Sequence, residues 1–511
     1  MAEPADVAAP KRTTSQTVRV LPTWILLSSI IAVAGGVRLV GLTEQPLWFD
    51  EAWTHIYVTS PLAKILSLTD PIDIGNPPLY YAIVHLWTLV AGASDLALRL
   101  PSVFFGVLTI PVVYALGREI AGRPLGLTLA LFTAISPMSI EHSQQARGYA
   151  FLALAASVAM WGLAHLLANR ADAGRPIGTG LLRATPLRDQ RRARTTVLAW
   201  TAVATGTAAA VLTHHTAVFL VLAMNTTVAG LWLFEHRPRE RFYANWLLAQ
   251  ALMLLLIAPW LSNFIQQSRT VYADFWIVSP TVSDVVIAGK HLVSGWSPAV
   301  FGAVSVLLAA ILGAVAFWSW RRMPRWILFV VLLIAVPLIG ELAATPFRPI
   351  FRRQTLIWCA IPVSLAMARG ALSLRDRWIA PAIASVVVLS ATGIANHQLN
   401  YSNAAWNEVA ATILAERQPG DGVIVAERIT EPIVERYLGA DAVRASPIPV
   451  ETVLDSAAMP EAVAGHERIW LLCWPGCEPN GQPAFDWLTE RSILVEQRSA
   501  RGAELYLFVP G

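Results

Sequence analysis

Long apolar segments recur through the first three quarters of this 511-residue chain, and they constrain its fold more than any other feature. An α-helix needs about 20 mostly apolar residues to cross the hydrocarbon core of a bilayer. The segments that reach or approach this length lie at about residues 22–41, 99–119, 124–141, 149–169, 196–214, 216–234, 243–261, 299–319, 326–345, 355–369 and 378–395. The sequence therefore predicts a polytopic α-helical membrane protein with about 11 transmembrane helices.

The composition agrees with this class of protein. The chain is 55% hydrophobic and only 14% charged, whereas about 25% of the residues in a soluble domain are charged. Its net charge of +4 requires no nucleic-acid partner, and we expect none. The stretch at 1–20 is polar, and no small-residue cleavage site follows the first apolar segment. We therefore expect a cytoplasmic N-terminal tail and a retained first span, not a cleaved signal peptide.

The distribution of arginine indicates how the chain is oriented. Arginines concentrate in five predicted loops, at residues 118–123, 170–194, 237–241, 321–325 and 369–377. With eleven spans, these loops and the N-terminal tail lie on one side, which the positive-inside rule makes the cytoplasmic side. We expect a multi-pass protein of a bacterial plasma membrane, with the remaining loops on the extracytoplasmic side.

One further apolar segment, at 76–92, is short. If it crossed the membrane, every later arginine-rich loop would face the other side. The charge pattern therefore predicts a juxtamembrane or re-entrant helix with Pro77 and Pro78 at its start. Residues 42–98 then form one large outer loop.

Two adjacent carboxylates lie in this outer loop among large aromatic side chains. Asp50 and Glu51 follow Trp48 and Phe49, a few residues beyond the first span. Charged groups this close to hydrocarbon are costly and typically functional. A carboxylate that aromatic rings partly shield has a raised pKa and can accept a proton from a hydroxyl. We predict that Asp50 and Glu51 are catalytic; the alternative is that the pair caps the following helix.

Other polar residues on the predicted outer side are candidate substrate ligands. They are His55, one helical turn after Glu51; Arg147 and Tyr149 in the second outer loop; His215, with its neighbour His214, between two closely spaced spans; and Arg352 and Arg353 in a later outer loop. Arginine suits phosphate because its planar guanidinium binds two oxygens at once. Alternatively, these arginines snorkel to the interface or bind anionic lipid head groups.

The composition changes near residue 396. The pattern predicts a helix at 403–417 and strands at 422–426, 468–474, 493–497 and 505–509. We therefore predict three regions: a cytoplasmic tail at 1–20, a transmembrane domain at 21–395 with its catalytic loop at 42–98, and an extracytoplasmic α/β domain at 396–511. Cys473 and Cys477 either form a disulfide in that domain or remain free, and Cys359 is expected to be inert packing.

The order of motifs along the first third of the chain resembles a known family. The motifs are Leu47-Trp48-Phe49-Asp50-Glu51-Ala52, Asn76-Pro77-Pro78-Leu79-Tyr80-Tyr81, Leu98-Arg99-Leu100-Pro101-Ser102, Ser136-Pro137 and Gln145-Ala146-Arg147-Gly148-Tyr149. This order resembles the GT-C membrane glycosyltransferases, in particular glycosyltransferase family 39 with its protein O-mannosyltransferases, and the aminoarabinose-transferase-like group. The resemblance is specific over about residues 20–170 and extends in topology alone to about 395.

This resemblance implies an inverting glycosyltransferase. It implies a polyprenyl-phosphate donor that carries a hexose or pentose, and a hydroxyl acceptor on a glycan, lipid or protein, with membrane lipids as further partners. Asp50 would be the general base, and Glu51 its neighbour or an acceptor-binding partner. Arg147 and Tyr149 would lie near the donor, and Arg352 or Arg353 would meet its phosphate. The group generally requires no metal or other cofactor, whereas dependence on a divalent metal would favour a pyrophosphate-linked donor.

Two other functions compete with this one. A transporter or flippase of lipid-linked sugars would also use acids and arginines near the membrane. However, transporters usually contain internal repeats, none is evident here, and Asp50 and Glu51 lie in a loop and not at the middle of a span. A non-catalytic scaffold in envelope assembly would present the C-terminal domain to a partner.

Overall fold

The structure is a computed structural model that describes residues 21–67, 76–173, 187–234, 240–270, 278–425, 431–439, 450–452, 456–474, 477 and 481–511. Within these ranges a long helical portion precedes a small sheet. The tail predicted at 1–20 lies outside the described residues.

The helical portion is built from α1 (Thr23–Leu39), α2 (Phe49–Thr59), α3 (Leu62–Ser67), α4 (Leu79–Ala91), α5 (Asp95–Ala134), α6 (Pro137–Ser143), α7 (Tyr149–Ala168), α8 (Arg170–Ala173), α9 (Leu187–Val211), α10 (Val218–Phe234), α11 (Glu240–Thr270), α12 (Val282–Ser294), α13 (Ala299–Trp320), α14 (Pro324–Ala344), α15 (Ala360–Ala371) and α16 (Asp376–Asn400). Two 3₁₀ turns, His215–Ala217 and Arg353–Cys359, precede α10 and α15.

The predicted membrane-protein fold is confirmed. Among the described residues, seven helices are long and apolar enough to cross a bilayer: α5, α7, α10 with its preceding turn, α11, α13, α14 and α16. Helices α1 and α4 are apolar but shorter, with 17 and 13 residues. The short α4 begins directly after Pro77 and Pro78, as predicted. The count of eleven spans and the orientation in the membrane stay predictions.

The spans predicted at 99–119 and 124–141 belong to a single element, α5. The chain leaves helical geometry only at Ala121 and Gly122, where Gly122 has a φ of 78° that glycine adopts without strain. The two halves then pack directly on each other. A Cβ at Gly117 would lie 2.9 Å from the backbone of Gly126, so this contact requires glycine.

The predicted boundary at residue 141 is wrong. α5 ends at Ala134, and Ser136 caps a separate short helix, α6, by accepting a hydrogen bond from the backbone N–H of Ser139. Pro137 follows at the first helical position, where its missing N–H is tolerated. The cap at Ser136 therefore ends the long helix even though apolar residues continue. Glu141 and His142 consequently lie on α6, in the second outer loop.

A buried arginine fixes α6 against its neighbours. Arg38, near the end of α1, donates hydrogen bonds to the carbonyl oxygens of Ala34 and Ala134, both at 3.0 Å, and to the hydroxyl of Ser143 at 3.1 Å. The contacts with Ala134 and Ser143 tie the ends of α1, α5 and α6 together.

Small residues bring α7 and α9 into close contact. A Cβ at Gly162 would lie 2.6 Å from the carbonyl oxygen of Ala199, and one at Gly206 would lie 2.8 Å from that of Ala155. Membrane helices commonly pack through small residues in this way, because backbones can then approach closely. The close packing holds the start of α7, which follows Arg147, in a fixed position.

The C-terminal portion contains helices α17 (Trp406–Glu416), α18 (Glu431–Leu438), α19 (Met459–Ala462) and α20 (Gln482–Arg491) and strands β1 (Asp421–Val425), β2 (Val450–Thr452), β3 (Arg468–Cys473), β4 (Ser492–Ala500) and β5 (Ala503–Pro510). The sheet has the order β2-β1-β3-β5-β4. β1 is parallel to β2 and β3, and β5 is antiparallel to β3 and β4.

The helix and four strands predicted in this portion are confirmed. Strand β2 is not predicted, because its three residues are too few for a periodic pattern. Cys473 and Cys477 form a disulfide, and Cys359 is a buried free cysteine. The region boundaries at 20/21 and 395/396 stay predictions.

Candidate active site

Glu51 is a fully buried carboxylate at the start of α2. Its oxygens accept hydrogen bonds from the Arg99 guanidinium at 2.8 and 2.6 Å. They also accept from the backbone N–H of Ala146 at 2.7 Å and that of Trp48 at 3.3 Å. Glu51 is 0% exposed and Arg99 only 3%. The charges of Glu51 and Arg99 therefore pair with each other, and the Glu51 carboxylate joins α2, α5 and the loop before α7.

Asp50 occupies a different environment from its neighbour. Its side chain is 28% exposed, and one of its oxygens lies 3.6 Å from the Arg147 guanidinium. Arg147 also donates hydrogen bonds to the backbone carbonyl of Asp50 at 3.1 Å and to the Tyr81 hydroxyl at 3.3 Å. Asp50 is thus accessible to solvent, while two hydrogen bonds fix the neighbouring Arg147 guanidinium in position.

Arg147 is one of several polar residues that line a small pocket. Its guanidinium donates a hydrogen bond to the Tyr149 hydroxyl, which also interacts electrostatically with Arg352. The pocket is lined by Asn76, Tyr80, Tyr81, Arg147, Gly148, Tyr149, Thr213 and His214. Its lining presents hydroxyl, amide and guanidinium groups, and Arg147 connects it to Asp50.

The two neighbouring histidines have different surroundings. The His214 ring contacts Tyr149 with a centroid separation of 5.8 Å, whereas the His215 ring lies 5.0 Å from Phe264. Burial, with the charges of His215 and Arg147, lowers the pKa of His214 to about 3. His214 is therefore neutral at physiological pH and contacts the pocket, while the predicted ligand His215 faces an aromatic ring.

His55 is placed toward the C-terminal portion. Burial, together with the charge of Arg436, lowers its pKa to about 4, although Asp95 opposes this shift. His55 is therefore uncharged at neutral pH. Its proximity to Arg436 and Asp95 associates it with the contact between α2 and α18 and not with the pocket beside Arg147.

The two later arginines lie on a second side of the site. The Arg353 guanidinium stacks 4.2 Å above the ring of Trp296, which contacts both His291 and Tyr401. Arg352 interacts electrostatically with Tyr149. The structure therefore brings Arg352 near the pocket and places Arg353 beside a neighbouring histidine cluster.

That cluster consists of Glu141 and His142 on α6 and His291 on α12, all buried. The Nε2 atom of His291 lies 2.7 Å from a carboxylate oxygen of Glu141. Burial raises the pKa of the Glu141 carboxyl, but the hydrogen bond from His291 and the nearby histidine charges outweigh burial and hold the pKa well below its usual value. Glu141 is therefore ionised, and it ties the second outer loop to α12.

The C-terminal portion contacts the segment that leads into Asp50. The Phe49 ring packs against Trp474 with centroids 4.7 Å apart and against Trp406 at 6.1 Å. The backbone N–H of Leu47 donates to the Tyr437 hydroxyl at 2.6 Å, and this hydroxyl donates to Asp95 at 2.9 Å. These contacts fix the backbone on the N-terminal side of Asp50.

Several site residues were not predicted from the sequence. Arg99 lies within a quoted motif, yet nothing local shows that its partner is Glu51, 48 residues away. Glu141 and His291 are 150 residues apart, so no metal-ligand spacing is visible. Tyr437 and Trp474 lie outside the stretch whose motifs carry the family resemblance, and only the fold brings them to the loop.

Comparison with known proteins identifies similar folds. Residues 75–182, about a fifth of the chain, match the family model described as dolichyl-phosphate-mannose-protein mannosyltransferase. No curated protein matches the sequence.

Two kinds of solved structure match most of the chain. ArnT from Cupriavidus metallidurans in the apo state has a TM-score of 0.59 and 14% identity, covering 95% of this chain and 97% of that one. The same protein bound to undecaprenyl phosphate also has a TM-score of 0.59 and 14% identity. The apo oligosaccharyltransferase of Archaeoglobus fulgidus has a TM-score of 0.56 and 11% identity, covering 89% of this chain and 70% of that one.

At these identities the structural matches establish the fold alone. The family model covers the segment that contains α4, α5, α6 and α7, and this segment holds all of the family-like motifs except the one at residues 47–52. The chain therefore has the fold of the GT-C membrane glycosyltransferases, and the resemblance predicted from its motifs is confirmed.

Proposed function

We propose that the protein is an inverting glycosyltransferase that moves a sugar from a polyprenyl-phosphate donor to a hydroxyl acceptor. The observation that carries this proposal is the division of labour between the two adjacent acids. Asp50 is accessible and lies beside the Arg147 guanidinium, whereas Glu51 is buried and forms an ion pair with Arg99. A site that uses one carboxylate as a base needs it accessible to substrate and needs its backbone held.

Asp50 is the proposed general base. The acceptor hydroxyl would give its proton to the Asp50 carboxylate while its oxygen attacks the anomeric carbon. The bond between that carbon and the phosphate oxygen breaks, its electron pair leaves with the lipid phosphate, and Asp50 later releases the proton to water. A single displacement of this kind inverts the anomeric configuration.

Glu51 is proposed as a positioning residue. Its oxygens already accept four hydrogen bonds from Arg99, Ala146 and Trp48, so no oxygen is free to accept a proton from a substrate. Its contacts instead hold the start of α2 against the loop that carries Arg147. This geometry favours a positioning role for Glu51 over the catalytic role predicted from its position in the sequence.

The donor phosphate is proposed to bind between Arg147 and Arg352. Arg147 donates a hydrogen bond to the Tyr149 hydroxyl, and the charge of Arg352 also acts on that hydroxyl. Guanidinium groups stabilise the negative charge that develops on a leaving phosphate. The structure of ArnT bound to undecaprenyl phosphate supports a lipid phosphate as the ligand of this fold. Of the histidines also predicted as ligands, His55 lies near Arg436 and Asp95, and the His215 ring contacts Phe264.

The setting of the reaction is proposed from the arginine pattern. The arginine-rich loops and the N-terminal tail would be cytoplasmic, and the site and the C-terminal sheet extracytoplasmic, in a bacterial plasma membrane. The disulfide between Cys473 and Cys477 supports an oxidising compartment for the sheet. The acceptor could be a glycan, lipid or protein hydroxyl.

The stereochemistry of the product tests the proposed mechanism. Protein in nanodiscs would receive an anomerically pure polyprenyl-phosphate sugar and acceptor extract, and NMR would give the anomeric configuration of the product. Single displacement predicts inversion. Retention would contradict it, because retention requires a covalent glycosyl intermediate or another double displacement.

The contact from the C-terminal portion yields a prediction. Tyr437→Phe removes the hydroxyl that accepts from Leu47 and leaves that N–H unpaired. An unpaired buried N–H costs about 1–3 kcal/mol, so we expect a lower melting temperature. We also expect a lower kcat/KM, because the segment before Asp50 loosens, but a smaller loss than removal of the base causes.

Tyr506→Phe is the matched control for this substitution. Tyr506 lies in β5, and its hydroxyl bonds to Glu504 and Gln497 and not to the catalytic loop. We expect an unchanged kcat/KM in this variant. Equal loss of activity in both tyrosine variants would show that the contact with Leu47 has no special role.

A further inference from the structure

The cluster of Glu141, His142 and His291 lies outside the set of residues used in the proposed reaction. Each residue offers one ligand atom, and these atoms all lie within 4.8 Å of one another. All three side chains are buried. Buried imidazole and carboxylate groups need partners, so the contacts of each ring nitrogen decide what this cluster does.

His142 has one partnered and one unpartnered nitrogen. Its Nδ1 lies 3.1 Å from the Gln145 side-chain oxygen, and its Nε2 is buried with no hydrogen-bond partner among the described residues. An amide oxygen only accepts, so the hydrogen lies on Nδ1 and Nε2 presents a lone pair. This is the arrangement that orients a metal-binding histidine, in which the other ring nitrogen donates to an oxygen.

We propose that Glu141, His142 and His291 bind one divalent transition-metal ion of the Zn²⁺ class. Two imidazoles and one carboxylate are a donor set that Zn²⁺ accepts, with bonds of about 2.0–2.2 Å and a tetrahedral arrangement. The donor atoms would then lie about 3.3 Å apart. This requires small side-chain rotations from the present 2.7 Å between His291 and Glu141 and the 4.8 Å limit of the cluster. The metal would also displace the proton that His291 Nε2 donates to Glu141, and this proton would leave to solvent.

The surroundings set limits on the affinity. Arg353 stacks on Trp296, which contacts His291 edge-on, so a guanidinium charge lies near the cluster and opposes a second cation. We therefore expect weaker binding than at a three-ligand site without a neighbouring cation. The simpler alternative is a buried pair between Glu141 and His291 that binds no ion and joins α6 to α12.

Metal binding by the full-length protein tests the proposal without any turnover, so its outcome is independent of the proposed transferase. Tag-free wild type in nanodiscs would be stripped with a chelator and titrated with Zn²⁺ or Co²⁺. We expect one equivalent bound, the visible absorption of tetrahedral Co²⁺, and a melting temperature that rises with the concentration of Zn²⁺. A stripped wild type that binds no ion would overturn the proposal, whatever the variants do.

Variants test which residues bind the ion. We expect Glu141→Gln, His142→Asn and His291→Asn each to lower affinity about 100-fold or more, and Gln145→Leu, which alters only the orienting contact, to lower it about 10–100-fold. His85→Asn is the control, since His85 bonds to the Val58 carbonyl outside the cluster. Binding by the three ligand variants as tight as that of wild type and His85→Asn would overturn the assignment.

Discussion

Replacing Asp50 with asparagine is expected to lower kcat/KM for the lipid-linked donor by about 10²–10⁴-fold, the usual contribution of a general base. Asparagine retains the size and shape of the side chain but cannot accept the acceptor proton. The donor KM should change little, because phosphate binding is assigned to the arginines. Initial rates of donor loss, measured by mass spectrometry at several donor concentrations, give both constants.

The fold should tolerate this substitution. Asp50 is partly exposed, and its carboxylate contacts Arg147 only at 3.6 Å, so the melting temperature should stay close to that of wild type. Glu408→Gln, at an exposed pair with Arg501, controls for loss of a carboxylate elsewhere. Wild-type kcat/KM in a folded Asp50→Asn protein would remove Asp50 as the base.

Breaking the pair between Glu51 and Arg99 should have the largest effect on stability. Arg99→Met leaves a buried carboxylate without its cation, and Glu51→Gln leaves a buried guanidinium without its anion. Removal of one partner from a buried pair costs about 3–5 kcal/mol, because the remaining charge is desolvated and unpaired. We expect a clearly lower melting temperature and lower yield of folded protein for both variants.

The matched control is Glu490→Gln, which removes the same charge from a surface pair. Arg491 and Glu490 are 50% and 67% exposed at 2.6 Å separation, and exposed pairs contribute about 0–1 kcal/mol. Similar melting temperatures for Glu51→Gln and Glu490→Gln would contradict the structural role assigned to Glu51.

The sequence predicts much of the fold because its signals are local and periodic. Long apolar runs predict the membrane helices, and short apolar runs predict strands such as β1 and β3. The length of the apolar segment at 76–92 does not decide whether it spans the membrane. The proline pair before α4 and the requirement that all arginine-rich loops share one side together predict a short helix that does not span. The end of α5 was mispredicted because the Ser136 cap begins a new helix within a stretch that stays largely apolar up to Ile140.

The site is less predictable because its contacts join distant segments. Asp50 stands out from sequence, since acids near a span are costly. Its neighbour Glu51 looks equivalent until the fold brings Arg99 and the backbone of Ala146 to it. The choice between His214 and His215 depends on the 3₁₀ turn at His215–Ala217, and the pairing of Glu141 with His291 depends on the packing of α6 against α12. Neither leaves a local pattern.

The loss of intact donor tests the central claim most directly. Wild type in nanodiscs would be incubated with a panel of polyprenyl-phosphate sugars and an envelope extract, and mass spectrometry would follow donor, free polyprenyl phosphate and product. We predict that one donor is converted to polyprenyl phosphate with a matching glycosylated product. Folded protein that leaves every donor intact would contradict a transferase. If that protein also moves donors across a liposome bilayer, the result would favour a flippase.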